Sequence, residues 1–104
     1  MIARTESFSV ATRGRGSFEI TAEVERIVAT SGVREGLATV FVRHTSASLV
    51  IFENADPSAR ADLHAFLDRI APDGEDWHVH TLEGPDDTAS HLRMAVTRTS
   101  ECIP

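Results

Sequence analysis

Arg43-His44-Thr45-Ser46-Ala47-Ser48-Leu49-Val50-Ile51-Phe52-Glu53-Asn54-Ala55-Asp56-Pro57 is an apolar run bracketed by polar residues. Its centre, Leu49-Val50-Ile51-Phe52, is β-branched or bulky at every position. That pattern fits a strand buried on both faces, or the inner strand of a sheet. Such a strand is a stiff platform with polar groups at its rims: His44 and the neighbouring Ser/Thr cluster at one end, Glu53, Asn54 and Asp56 at the other. Asp56-Pro57 is equally a plain turn and helix-start signal that requires no chemistry.

Upstream, Phe8 and Val10 alternate with Ser7, Ser9 and Ala11, the period of a half-buried strand over residues 7–12. Thr12-Arg13-Gly14-Arg15-Gly16-Ser17 breaks it with a glycine-rich loop. Phe18-Glu19-Ile20 reads as a second short strand. A helix is expected over residues 21–31, with Thr21 as N-cap, Glu23 in the first turn, and Val24, Ile27 and Val28 facing the core. Gly32 would close it. Leu37 to Val42 is another apolar run, and Thr45-Ser46 either turns the chain between two antiparallel strands or bulges a continuous one.

Downstream, Pro57 opens a helix capped by Asp56, with the stripe Leu63, Phe66, Leu67, Ile70. Ala71-Pro72-Asp73-Gly74 ends it. Glu75 to Leu82 has the alternation of a strand, sending His78 and His80 to one face and Trp77, Val79 and Thr81 to the other. Glu83-Gly84-Pro85-Asp86-Asp87 is an acidic loop. Residues 88–97 fit a short helix with His91, Leu92, Ala95 and Val96, and Glu101-Cys102-Ile103-Pro104 reads as the start of a further strand.

The chain of 104 residues is 41% hydrophobic, the length and composition of one globular domain. Acidic residues outnumber basic ones 16 to 10, for a net charge of -6. With no basic run to follow a phosphate backbone, nucleic acid is not an expected partner. Every basic residue is Arg, so no Schiff-base or lysine general-base chemistry is available. The single cysteine, Cys102, has no internal disulfide partner. No stretch has the ~18 apolar residues of a membrane span, and the N-terminus has no signal-peptide pattern. A cytoplasmic location is expected, with no membrane partner.

Three histidines, His44, His80 and His91, fall at strand ends or beside loops, among the carboxylates Glu53, Asp56, Asp62, Asp86 and Asp87. Three imidazoles with an open fourth position are the ligand set of a catalytic zinc site. No short-range spacing such as His-Glu-x-x-His is present, so spacing alone does not assign a metal.

Taken together, His44-Thr45-Ser46-Ala47-Ser48-Leu49, Glu53-Asn54-Ala55-Asp56-Pro57, Asp62-Leu63, His80-Thr81, Glu83-Gly84-Pro85-Asp86-Asp87 and Ser90-His91-Leu92 resemble the YjbQ-like family, the secondary thiamine-phosphate synthases. The likeness runs in order over residues 6–104. It implies an α+β fold, a single YjbQ-like domain over residues 1–104 with a mixed or antiparallel sheet and two to three helices, assembled as a homotrimer. It also implies a metal, zinc or with a pyrophosphate substrate magnesium, held by His44, His80 and His91. Glu53, Asp56, Asp86 and Asp87 become the expected acid/base groups, and Ser46, Ser48, Asn54 and Asp62 the expected substrate contacts.

The activity implied is the joining of a pyrimidine pyrophosphate to a thiazole phosphate with release of pyrophosphate. A second expectation is a non-catalytic trimer that binds a metal and a small phosphorylated or other anionic metabolite. Two departures from the family pattern stand out. Arg98 replaces a usual glycine after the last helix, and the family's C-terminal hairpin and final strand have no counterpart up to Pro104.

Overall fold

The computed structural model describes residues 2–44 and 46–104. It shows the expected α+β class: α1 (Thr21–Ser31), β1 (Ala38–Phe41), α2 (Pro57–Ile70), α3 (Asp87–Val96) and β2 (Ser100–Ile103). Two compact units divide the chain, one made of the segment up to Ala38 with Ile103 and Pro104, the other of Thr39–Cys102.

In the first unit α1 occupies the expected residues and stops where Gly32 takes a left-handed conformation, φ 77°, which a side chain there would strain. Its N-cap is Ile20 rather than Thr21. The Ile20 carbonyl already accepts the Val24 N–H at 3.2 Å, so the helical ladder starts one residue earlier than the polar side chain suggested. Arg4 donates to the Thr30 carbonyl at 2.9 Å, satisfying an acceptor in the last turn and placing a cation at the negative end of the helix. Arg26 and Glu6 pair at 3.6 Å. The strands expected over residues 7–12 and 18–20 do not form. Alternation signals a tendency to bury one face, but a strand also needs a neighbouring backbone to bond to.

β1 and β2 form a two-stranded antiparallel sheet, and next to it in the second unit the Val42 N–H donates to the Thr99 carbonyl at 2.9 Å. The expected platform strand Leu49–Phe52 is corrected to one antiparallel bridge, Leu49 with Arg98, closed by bonds of 2.6 and 3.2 Å. Beyond it Val50, Ile51 and Phe52 are 50%, 65% and 45% exposed. With a ladder partner for Leu49 alone, the rest of this run stays outside the sheet. Arg98 does not take a positive φ, so the backbone there does not require a glycine. The turn or bulge expected at Thr45-Ser46 involves Thr45, which lies outside the described residues.

α2 begins as expected. Pro57 fills its first turn, where a missing N–H costs nothing, and the Asp56 side chain caps it by accepting the Ser58 N–H at 2.9 Å. The end of α2 is tied to α3 by Arg93, which reaches the Ala71 carbonyl at 3.2 Å and Asp68 Oδ1 at 2.8 Å. Ala71 and Ala89 are the buried hydrophobic residues among those described. Small side chains there let the end of α2 and the start of α3 lie deep in the unit. Ser48 is held at the other end of α3. The Thr97 hydroxyl donates to the Arg93 carbonyl at 2.8 Å, so the Ser48 hydroxyl donates to Thr97 Oγ1.

Between the helices, residues 75–82 form turns rather than the expected strand. His78 N–H bonds the Glu75 carbonyl at 3.0 Å, Gly84 N–H the Thr81 carbonyl at 3.4 Å, and Gly74 N–H the Pro85 carbonyl at 2.9 Å. The last bond pinches the base of the loop. Gly74 and Gly84, both with positive φ, supply the reversals a strand would have lacked. No helix among the described residues is long and apolar enough to cross a membrane.

Candidate metal centre

α3 opens with Asp87, and one turn later His91 stands on the same face, the i,i+4 relation that makes side chains neighbours. The loop before α3 brings in His80. His80 Nε2 lies 2.9 Å and His91 Nε2 3.0 Å from the same oxygen, Asp87 Oδ2. The two imidazoles are tilted at 49° with ring centroids 5.6 Å apart. An ionised carboxylate only accepts hydrogen bonds, so both Nε2 atoms carry the proton in this arrangement. The Asp87 side chain is 18% exposed, that of His91 36% and that of His80 53%. The site therefore has a protected base and an open rim.

Ligand atoms of His80, Asp87 and His91 all lie within 4.8 Å of one another. A tetrahedral metal with bonds of ~2.0–2.1 Å sets its donors ~3.4 Å apart, so the two His–Asp pairs need to widen by only ~0.4 Å. Two imidazoles and one carboxylate, with a fourth position open, fit zinc. Magnesium, which demands six oxygen-rich positions, fits this set poorly.

The other residues singled out in the sequence are distributed differently. His44 stands outside this group, and its Nδ1 accepts the Ser46 N–H at 2.9 Å. Glu53 Oε1 accepts the Ala55 N–H at 2.7 Å. Asp56 is the α2 cap, and the backbone hydrogen bond from Ser58, with its side-chain bond, holds its carboxyl below the usual carboxylate range. Asp62 is exposed on α2 and Asp86 is the N-cap residue of α3, without a side-chain cap bond. Ser48 is bonded to Thr97, and Asn54 lies on the exposed segment before α2. The structure thus brings together His80 and His91 of the expected histidine trio and adds Asp87, expected as an acid/base group, as the third converging side chain.

Beside His80 lies a shallow depression of about 290 Å³ lined by Gly74, Glu75, His78, Thr81, Gly84, Pro85 and Thr88. His78, His80 and Thr81 all line it, so the alternation that would send Thr81 to the face opposite the histidines does not hold here. His78 Nε2 is buried with no hydrogen-bond partner, and its ring meets Trp77 edge-on at 4.4 Å. Thr88 went unnoticed in the sequence because it carries no motif, whereas Asp87 was expected as an acid/base group and its i,i+4 spacing to His91 makes the two neighbours.

The family model for UPF0047 protein YjbQ-like matches residues 6–104. A UPF0047 protein of Synechocystis sp. is 46% identical over 99 residues, which cover 95% of this chain and 67% of that protein. The UPF0047 protein YjbQ of Escherichia coli O157:H7 is 33% identical, with 95% of this chain and 72% of that one covered. Among solved structures, a YjbQ/UPF0047 protein from Clostridium acetobutylicum superimposes with a TM-score of 0.82 at 33% identity, over 92% of this chain and 72% of that one. On the sequence match along nearly its whole length and on the shared fold, the chain belongs to the YjbQ-like UPF0047 family.

Proposed function

We propose that this chain is a metal-dependent transferase of the secondary thiamine-phosphate synthase kind, with zinc held by His80, Asp87 and His91. The observation that supports it is the convergence of two Nε2 atoms on one carboxylate oxygen at 2.9 and 3.0 Å, beside a depression open to solvent. In the reaction, a ring nitrogen of the thiazole phosphate attacks the methylene of the pyrimidine pyrophosphate. The new C–N bond forms as the C–O bond breaks and its electron pair leaves on pyrophosphate. When bound, the metal supplies positive charge to offset the charge gathering on that leaving group. Asp87 orients both imidazoles, and Asp86, with no side-chain cap bond, is a further carboxylate of this reading. The same reading includes a cytoplasmic homotrimer and substrate contacts from Ser46, Asn54 and Asp62.

A second reading, a non-catalytic module that binds a metal and an anionic metabolite, is favoured by one observation. Glu53 and Asp56 are both engaged by backbone N–H groups, which leaves fewer carboxylates for acid/base work. Thiamine phosphate formation from the two precursors, assayed with and without a chelator, separates the readings. Turnover lost on chelation and restored by zinc supports the enzyme. Zinc and a phosphorylated ligand bound with no turnover supports the module.

A further inference from the structure

We propose that Thr88 is the positioning residue of the metal centre, holding the main chain of His80 so that its imidazole meets Asp87; the proposal rests on the metal-centre reading above. Consecutive residues of the first turn of α3 both reach His80. The Asp87 carboxylate takes its Nε2, and the Thr88 hydroxyl donates to its backbone carbonyl at 2.5 Å. Packing does not fix the loop at this point, because Val79 is 94% and Leu82 98% exposed. The bonds within the loop are local and lie to either side, between His78 and Glu75 and between Gly84 and Thr81. The pinch between Gly74 and Pro85 sets the base of the loop but not the direction of an imidazole several residues along it.

Thr88 therefore supplies a bond from the helix carrying Asp87 and His91 to the backbone of His80. It also lines the depression beside His80. The class of ligand is a divalent metal ion that takes two imidazoles and a carboxylate. A hydroxyl acting on a ligand's backbone does for His80 what an outer hydrogen-bond partner does for a metal-bound imidazole, by removing the freedom to turn away.

The test is competition of the full chain with a chromophoric chelator for zinc, comparing wild type, Thr88→Val and Thr88→Ser. Valine keeps the volume and removes the hydroxyl, whereas serine keeps the hydroxyl. Thr88→Val is expected to bind zinc roughly 10- to 100-fold more weakly, and Thr88→Ser to bind like the wild type. Zinc bound equally by wild type and Thr88→Val, or Thr88→Ser impaired as much as Thr88→Val, overturns the positioning role while leaving the metal centre standing. A wild type that binds no zinc overturns both. Circular dichroism of each zinc-free protein checks folding. Should Thr88→Val be unfolded, Thr88→Ala against Thr88→Ser reads the same difference.

Discussion

His80 and His91 meet at one atom, their Nε2 nitrogens 2.9 and 3.0 Å from Asp87 Oδ2. One comes from a turn-rich loop and the other from the first turns of α3, so neither local segment alone makes the pair. Asp87 starts α3 and is the shared element. Its charge also suits the positive end of the helix, which gives the residue two roles.

Those roles come apart on mutation. Asp87→Asn keeps the shape but removes the charge, and is expected to lower the stability of the metal-free protein by no more than about 1 kcal/mol. Zinc affinity should fall by far more, at least roughly 10-fold, since a metal ligand is lost. Urea unfolding of the apo protein and zinc competition measure the two effects. Equal zinc affinity in the variant would remove Asp87 from the ligand set.

Asp56 caps α2. Its folded-state pKa lies below the ordinary aspartate value because it accepts the Ser58 N–H, so its stabilisation is present above the ordinary value and is lost as pH falls through the lower folded one. Asp56→Ala is expected to lower the thermal midpoint at neutral pH with zinc content unchanged. The difference from wild type should shrink on acidification through that range. A constant difference across pH would contradict the capping account.

Arg93 links the end of α2 to α3 with a side chain only 14% exposed. Arg93→Ala leaves the carbonyl of buried Ala71 without its partner, a loss of about 1–3 kcal/mol. Asp68→Ala removes the exposed partner of that ion pair and is expected to cost under ~1 kcal/mol. Urea midpoints of the two variants rank them, and the reverse order would show that the ion pair outweighs the carbonyl contact.

His78 offers a gain. Its Nε2 is buried without a partner, and replacing such a group by an apolar side chain of similar shape is near neutral or stabilising, by up to ~1–3 kcal/mol. His78→Phe should keep zinc binding and unfold at the same or a higher urea concentration. Loss of zinc in that variant would bring His78 into the centre.

The helices were legible in the sequence because their signals are local. Asp56-Pro57 fixed the start of α2, and Gly32, the residue able to sit at φ 77°, fixed the end of α1. Strands depend on a partner that the sequence does not name. Leu49-Val50-Ile51-Phe52 has the composition of an inner strand, yet only Leu49 finds a neighbour, Arg98. The alternation over residues 75–82 does not make a strand, since Gly74 and Gly84 take positive φ on either side, and Thr81 lines the same depression as His78 and His80 rather than the opposite face. The resemblance to the family pointed to His80 and His91. It pointed equally to His44, which bonds the Ser46 N–H and has no feature of spacing that distinguishes it from them in the sequence alone.

The most direct measurement is the zinc-to-protein ratio of wild type, His80→Ala, His91→Ala and His44→Ala after zinc loading and dialysis. The account predicts one zinc per wild-type chain, retained in His44→Ala and lost in His80→Ala and His91→Ala, with all four proteins folded by circular dichroism. A zinc-free wild type, or a ratio unchanged by removing His80 or His91, would contradict it.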